Sequence, residues 1–373
     1  SKPLLSILRT ATSDYNCPEV QEKNCDPGQC ERVYAPEKPE NMEDKLIGRL
    51  ARGIPSVGSI EAGTPPLAAA RLGIGDDAAI LRQSSKFEWV VSCDSSLEGV
   101  HFRDGSHPPE SIGYKSLARA VSDLAAMGSR PRYFLLALAL PGTKTGRWLD
   151  RFASGMAKAS RELTIRLIGG DTSKSQNVMI SITVLGEVAP GRAITRSGAR
   201  PGDLIYVSGQ LGRAQLGLEL LLRGLAHRRS LRKYLQPHLY PKVPLALGQW
   251  LATRRLATAM MDISDGLSID LSRLCDASGV GARIWSAKIP RVQIPAALAR
   301  PKFDGLELAL HGGEDYGLLF TVRPKSAKLL RRLTPKIPIT CIGEITRQTQ
   351  IVLACDDGTE ALLLVKGWDP FRK

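Results

Sequence analysis

Seven aspartates hold the chemistry this chain offers. Asp76 and Asp77 interrupt an apolar run in "LGIGDDAAIL" (72–81). Asp94 follows "WVVSC", Asp171 follows "IRLIGG", and Asp262 and Asp265 follow "LATAMM". Asp123 lies in an otherwise apolar helical stretch beside Leu124 and Ala125. A carboxylate at the end of a buried strand is costly unless it is paired. Apart from Lys174, no Lys or Arg flanks these motifs within two residues. Aspartate oxygens without His or Cys suit a hard cation such as Mg²⁺, whose remaining positions go to water and to substrate phosphates. The chemistry expected is a metal-bridged nucleotide site.

Each carboxylate also has a purely structural reading. Gly75-Asp76-Asp77 and Gly169-Gly170-Asp171 have turn composition. Asp94 can end a strand, and Asp123 can sit on an exposed helix face. Ser264 and Asp265 are placed to cap a helix starting at Leu267. Capping and anion binding coexist, because a helix N-terminus welcomes phosphate. The recurrence of the pattern favours the metal reading over any single member. Familiar nucleotide machinery is missing: there is no GxxxxGK[ST] loop and no HRD or DFG set. "HGGEDYG" (311–317) is weak evidence by itself.

These residues need elements to hold them. A chain of 373 residues has room for about two domains of ~150 residues. Hydrophobic content of 43% and charged content of 24% are ordinary for a soluble globular protein. No apolar run approaches the ~20 residues of a membrane helix. The first residues lack the apolar core of a signal peptide, so the expected location is the cytoplasm. Cys17, Cys25 and Cys30 lie in polar sequence, whereas Cys93, Cys275, Cys341 and Cys355 lie in or beside apolar runs. These seven form neither a disulfide framework nor a zinc pattern, so reduced thiols are expected. The net charge of +14 suits attraction of anionic small molecules, and also a nucleic-acid binder. Such binders cluster their basic residues on one face. Here the densest run, "HRRSLRKYLQPH" (227–238), reads as a solvated loop.

Residues 1–42 are polar and read as an extension, and a short helical pattern covers Glu43–Leu50. Residues 87–102 begin as a strand and end in a polar loop. Residues 109–131 read as a helix with Pro109 in its first turn. Residues 132–140 read as a strand too apolar to face water, 146–163 as a helix, and 164–173 as a strand running into a Gly-Gly-Asp turn. A strand follows at 178–188. A Gly-Pro-Asp seam at 197–209 places a boundary near residue 198, dividing 43–197 from 198–373. Beyond it, helices are expected at 212–224, 243–254, 266–277 and 325–333. Strands are expected from Leu204 and at 258–262, 281–285, 316–322, 339–344 and 350–354. This alternation predicts mixed α/β layers.

The ordered set "GIGDDAAIL", "CDSSLEGVHF", "IGYKSLARAVSDLAAMGSRP", "LIGGDTS", "RSGARPGDLIYVSGQLG", "MDISDGLSIDL", "HGGEDYGLLFTV" and "GWDPF" resembles the thiamine-monophosphate kinase family over about residues 43–371. That family lies within the superfamily of aminoimidazole-ribotide and selenophosphate synthetases. The resemblance implies Mg-dependent transfer of the ATP γ-phosphoryl group to thiamine monophosphate, giving thiamine diphosphate and ADP. It implies a homodimer in which the N-terminal α/β sheets pair into a barrel, followed by a second α/β domain. By residue it implies metal ligation at Asp77, Ser92, Cys93, Asp94, Asp123, Asp171, Asp262 and Asp265. It implies ATP contacts at Gly170, Asp171, Arg196 and Ser264, and substrate contacts at His101, Glu314 and Trp368. It implies catalytic roles for Asp94, Asp123 and Arg196. An acceptor phosphate is already anionic, so no dedicated base is expected. The chain departs from the family pattern at Cys93 (commonly Thr), Lys174 (Arg) and Gly317 (Glu). Neither a membrane nor a nucleic acid is an expected partner. The rival readings are a selenophosphate synthetase or hydrogenase-maturation dehydratase, and a basic nucleic-acid-binding protein reusing the fold. Cys30 lacks the former's setting, and "GWDPFRK" lacks the latter's Cys-bearing tail.

Overall fold

A computed structural model of the chain describes residues 70–72, 75–82, 86–298, 303–333 and 338–368. The expected extension, the Glu43–Leu50 helix and Cys17, Cys25 and Cys30 lie outside the described residues.

The first sheet contains β1 (Ala70–Leu72), β2 (Ala79–Arg82), β3 (Glu88–Leu97), β4 (Arg130–Leu140), β5 (Arg166–Lys174) and β6 (Met179–Val188). Their order is β1-β2-β3-β6-β4-β5. Only the β4–β5 pair is parallel. One face is covered by α1 (Pro109–Ala126) and α2 (Arg147–Glu162). Leu117, Val121 and Leu124 of α1 pack there with Phe134, Phe152, Ile180 and Ile182. The two helices cross closely because Gly113 and Gly155 face each other's backbones. A methyl group on Gly155 would stand 1.8 Å from the Glu110 carbonyl oxygen.

The second sheet contains β7 (Leu204–Ser208), β8 (Ala257–Ile263), β9 (Gly281–Trp285), β10 (Gly317–Val322), β11 (Ile339–Thr346), β12 (Ile351–Ala354) and β13 (Glu360–Leu362). The order is β13-β12-β9-β11-β7-β10-β8. Around it run α3 (Arg213–Leu222), α4 (Arg232–Leu239), α5 (Leu245–Arg254), α6 (Leu267–Ser278), α7 (Gly305–His311) and α8 (Pro324–Leu333). The α6 residues Leu267, Leu271 and Leu274 pack with Met261 and Leu319. Leu247 and Leu251 of α5 pack with Met260, Phe320 and Ala125 of α1. Thus α1 lies against both sheets, and its burial explains the apolar neighbours of Asp123.

Four expectations need correction. The polar "SCDSS" of 92–96 continues β3 instead of opening a loop, because β6 pairs it along its whole length. Gly169-Gly170-Asp171 is strand, not turn, paired with Leu135, Leu136 and Ala137 of β4. The apolar β4 does face outward on one side: Phe134 and Leu138 are buried, while Tyr133 and Leu135 are exposed. The basic run 227–238 holds the end of one 3₁₀ turn (Leu225–His227), a second at Arg229–Leu231 and most of α4. Leu231, Leu235 and Leu239 are buried there, so apolar spacing of four outweighed the charge between them.

Candidate active site

Helix α1 organises the site through one face. Lys115, Arg119, Ser122 and Asp123 recur at the three- and four-residue spacing that brings helical side chains together. Lys115 Nζ lies 2.7 Å from Glu314 Oε2, and an Arg119 terminal nitrogen lies 3.5 Å from Asp94 Oδ1. Ser122 Oγ donates to Asp262 Oδ2 at 2.6 Å. Asp123 Oδ2 accepts from Ser92 Oγ. One helix therefore touches β3, β8 and the 312–316 loop.

Asp77, Asp123 and Asp262 bring carboxylate oxygens within 4.8 Å of one another. Burial first, then the neighbouring carboxylates, raises the Asp123 carboxyl well above its ordinary range. Burial and the Asp77 charge push Asp262 up to about 7. Three desolvated acids at this distance call for a cation. Asp77 Oδ2 is buried and has no hydrogen-bond partner among the described residues, while its Oδ1 accepts from Arg196 at 2.7 and 3.2 Å. The neighbouring Asp76 accepts from the Asp77 and Arg196 backbone N–H groups. The adjacent aspartates thus divide the work: Asp76 forms the turn and Asp77 faces the cluster. The donor set and the orphaned oxygen fit a hard divalent ion.

The expectation that basic residues leave these motifs unpaired holds in sequence but not in space. Arg196 reaches Asp77, Arg119 approaches Asp94, and Arg273 contacts Asp265 at 2.5 Å. Nor do Ser264 and Asp265 cap α6. That role falls to Asp270, whose carboxylate accepts from the Asp265 and Gly266 N–H groups at 3.1 Å.

Beside the cluster opens a cleft that collects His101, Arg119, Ser264, Asp265, Glu314 and Trp368. Glu314 has φ of +67° and Tyr316 of +48°, strained angles for side-chain-bearing residues. The Glu314 and Tyr316 N–H groups donate to the Ser264 and Ile263 carbonyls. Between them, Asp315 accepts from the Gly212 and Ala214 N–H groups at the start of α3. Burial alone would raise the Glu314 carboxyl, but Lys115 and His238 outweigh it and hold it below the ordinary range. His238 Nδ1 is 3.0 Å from Glu314 Oε2, and its Nε2 is 3.0 Å from His107 Nε2. His107 Nδ1 accepts from the Arg103 N–H, so a neutral His107 ring carries its proton on Nε2, the nitrogen that faces His238. The Trp368 backbone N–H donates to the Asp265 carbonyl, and the Lys366 backbone bonds the Ser268 hydroxyl.

Other expected residues stand apart. The Cys93 thiol is exposed and turned toward Ser181 and Thr183, opposite Ser92 and Asp94 on the alternating strand. Gly170 and Asp171 lie on β5, three strand steps from β3, or about 14 Å at the usual strand spacing. Sequence reasoning missed Lys115, Arg119, His107, His238 and Asp315. The helical spacing of 115, 119 and 123 was the available signal for the first two. The others depend on contacts more than 100 residues apart and left no local signal.

Two family models match the chain: AIR synthase related protein, N-terminal domain, over residues 75–188, and its C-terminal domain over 200–356. Thiamine-monophosphate kinase of Escherichia coli K12 is 38% identical over 304 residues, covering 80% of this chain and 92% of that protein. That of Bacillus subtilis is 34% identical over 308 residues, covering 81% and 94%. A solved structure, AaThiL complexed with AMPPCP and TMP, aligns with a TM-score of 0.72 and 34% identity, covering 80% of this chain and 92% of that one.

Proposed function

The chain belongs to the thiamine-monophosphate kinase family of the AIR synthase related proteins, and from that premise we infer its reaction: transfer of the ATP γ-phosphoryl group to thiamine monophosphate, giving thiamine diphosphate and ADP. The observation that carries this reading is a carboxylate cluster linked through Ser264, whose hydroxyl lies 3.4 Å from Asp262 Oδ1, to the cleft that holds His101, Glu314 and Trp368. The cluster takes the nucleotide end and the cleft takes the acceptor. No helix among the described residues is long and apolar enough to cross a membrane, and we place the enzyme in the cytoplasm.

Asp77, Asp123 and Asp262 would hold magnesium, with Ser92, Asp94 and Asp265 at its margins. When bound, the metal supplies charge neutralisation and alignment for two polyanions. Arg196 fixes Asp77 through Oδ1 and leaves Oδ2 facing the cluster. Ser92 and Ser122 orient Asp123 and Asp262. Glu314, held ionised by Lys115 and His238, offers a fixed negative charge for the cationic heterocycle. Trp368 offers a flat apolar wall. Cys93 would contribute a carbonyl oxygen, since its thiol points away. The active unit would divide near residue 198 into a metal-nucleotide half and a second α/β half.

A second copy completes the site in this reading. Among the described residues, the face of the first sheet away from the helices exposes Tyr133, Leu135 and Met179, and the edge strand β5 exposes Leu167 and Ile168. Along β3, strand β2 pairs with residues 88–91, so the outer edge of 92–97 has no strand partner among the described residues. The outer edge of β5 is likewise open. Joining β5 of one copy to β3 of the other closes a barrel and removes both edges. It also brings Gly170 and Asp171 to the partner's cluster.

The test is incubation with Mg²⁺, ATP and thiamine monophosphate, with chromatography of the products. Equal amounts of thiamine diphosphate and ADP, lost in EDTA, are expected. ADP alone would redirect the acceptor assignment to another substrate. Neither product from folded protein would overturn the reading.

A further inference from the structure

Several cations surround the site, and most are committed. Lys115 is buried against Glu314, Arg196 forks onto Asp77, and Arg273 contacts both Asp265 and Asp270. Arg119 differs. Its side chain keeps 22% of its surface exposed, and its one ion pair, to Asp94, is 3.5 Å long. Among the described residues the guanidinium makes no shorter hydrogen bond. It lines the cleft of Glu314 and Trp368, and it also lines the smaller pocket between His101 and Lys115. It therefore stands where the metal-nucleotide half meets the acceptor half.

His101 faces the same space. Its Nδ1 accepts from the Leu97 N–H at 3.0 Å, so a neutral ring carries its proton on Nε2. Burial and the Arg119 charge do keep it neutral, with a pKa lowered to about 4. A neutral N–H donor and a planar cation at the mouth of an otherwise acidic cleft make an anion receptor. Without ligands, Arg119 balances Asp94, Asp265 and Glu314. Cations bound at Asp94 and Asp265 would release its fork.

We propose that Arg119 is a catalytic residue of this site, receiving the phosphate of the acceptor and accompanying the phosphoryl group during transfer. The assignment rests on the thiamine monophosphate reading above. An acceptor phosphate oxygen attacks the γ-phosphorus, and the new P–O bond forms as the bond to the β-phosphate oxygen breaks. The electron pair stays on that oxygen as ADP leaves, and no proton moves. The Arg119 fork binds the acceptor phosphate oxygens that do not react and shares the charge on the equatorial oxygens in transit.

The test compares thiamine monophosphate with phosphate-free thiamine by calorimetric titration of wild type, R119M and R119K, each shown folded by circular dichroism. Wild type should prefer the phosphorylated ligand. R119M should lose about tenfold or more of that preference, the usual consequence of losing a charge-assisted contact. Its affinity for thiamine should stay within about twofold of wild type, since the ring contacts remain. R119K should retain part of the preference, because it keeps the charge without the fork. If R119M does not fold, R119K is judged alone. A wild-type preference in either folded variant overturns the assignment. Wild type that binds neither compound would instead overturn the thiamine monophosphate reading, and the assignment with it.

Discussion

Asp77 shows how one side chain separates structure from chemistry, with Oδ1 held by Arg196 and Oδ2 without a partner among the described residues. Asp94 is the sharper place to test the carboxylates, because it sits at the margin of the cluster on a strand paired along its length. Asp94→Asn should lower kcat by about a hundredfold or more while the melting temperature stays within a few degrees. Full turnover in that variant would remove the metal argument. The buried histidines make a second prediction. Burial and the neighbouring His238 lower His107 to about 4, against an ordinary value near 6.5. Between those values the unfolded chain binds a proton that the folded chain refuses. The stability contribution is present above about pH 6.5 and lost as the pH falls toward 4, by about 1.4 kcal/mol per unit. Raised carboxyls such as Asp76 and Asp315 act in the opposite sense, so the contrast between variants is the useful quantity. His107→Gln should lose about 2 kcal/mol less than wild type between pH 6.5 and 5 in urea titrations. Parallel curves would show that His107 is not held neutral.

At the scale of elements, α1 is the part on which the site depends. It carries Lys115, Arg119, Ser122 and Asp123 on one face and packs on both sheets with its others. Its seat against α2 relies on the bare backbones at Gly113 and Gly155. Gly155→Ala puts a methyl group 1.8 Å from the Glu110 oxygen, so the helices must separate. We expect a stability loss of about 2 kcal/mol, measured by thermal melting. Activity should fall further than the fraction unfolded, because a shift of α1 moves Arg119 and Asp123 together. The limits of α2, β6 and α6 were readable from apolar spacing, and the start of α1 from Pro109, but α1, expected to reach 131, ends at Ala126. Strands β3 and β5 were not readable. Their polar and glycine-rich stretches look like loops until β6 and β4 pair with them.

For the whole molecule, the uncovered face of the first sheet and its two open strand edges argue for a partner copy. Asp171→Ala and Asp262→Asn should each be inactive alone. In a mixed dimer, one site then combines an intact Asp262 with the partner's intact Asp171. Random exchange of subunits should restore about a quarter of wild-type activity. Persistent inactivity after demonstrated exchange would place Asp171 in its own chain's site. The net charge of +14 suits two polyanionic substrates at this scale.

By itself the sequence determined the kinds of chemistry available. It carried the aspartates at strand ends, the strand-helix alternation and an ordered set of motifs specific enough for a family. These are local properties, set by residue type and by spacing along one element. The tertiary structure alone decided which aspartates meet. Asp77, Asp123 and Asp262 converge, whereas Asp171 lies three strands away. It also decided that arginines outside these motifs pair with acids that have no Lys or Arg within two residues, and that Lys115, His238 and Glu314 form one buried group. Such contacts join positions up to 199 residues apart. Their energy depends on burial and distance, which no local window of sequence contains.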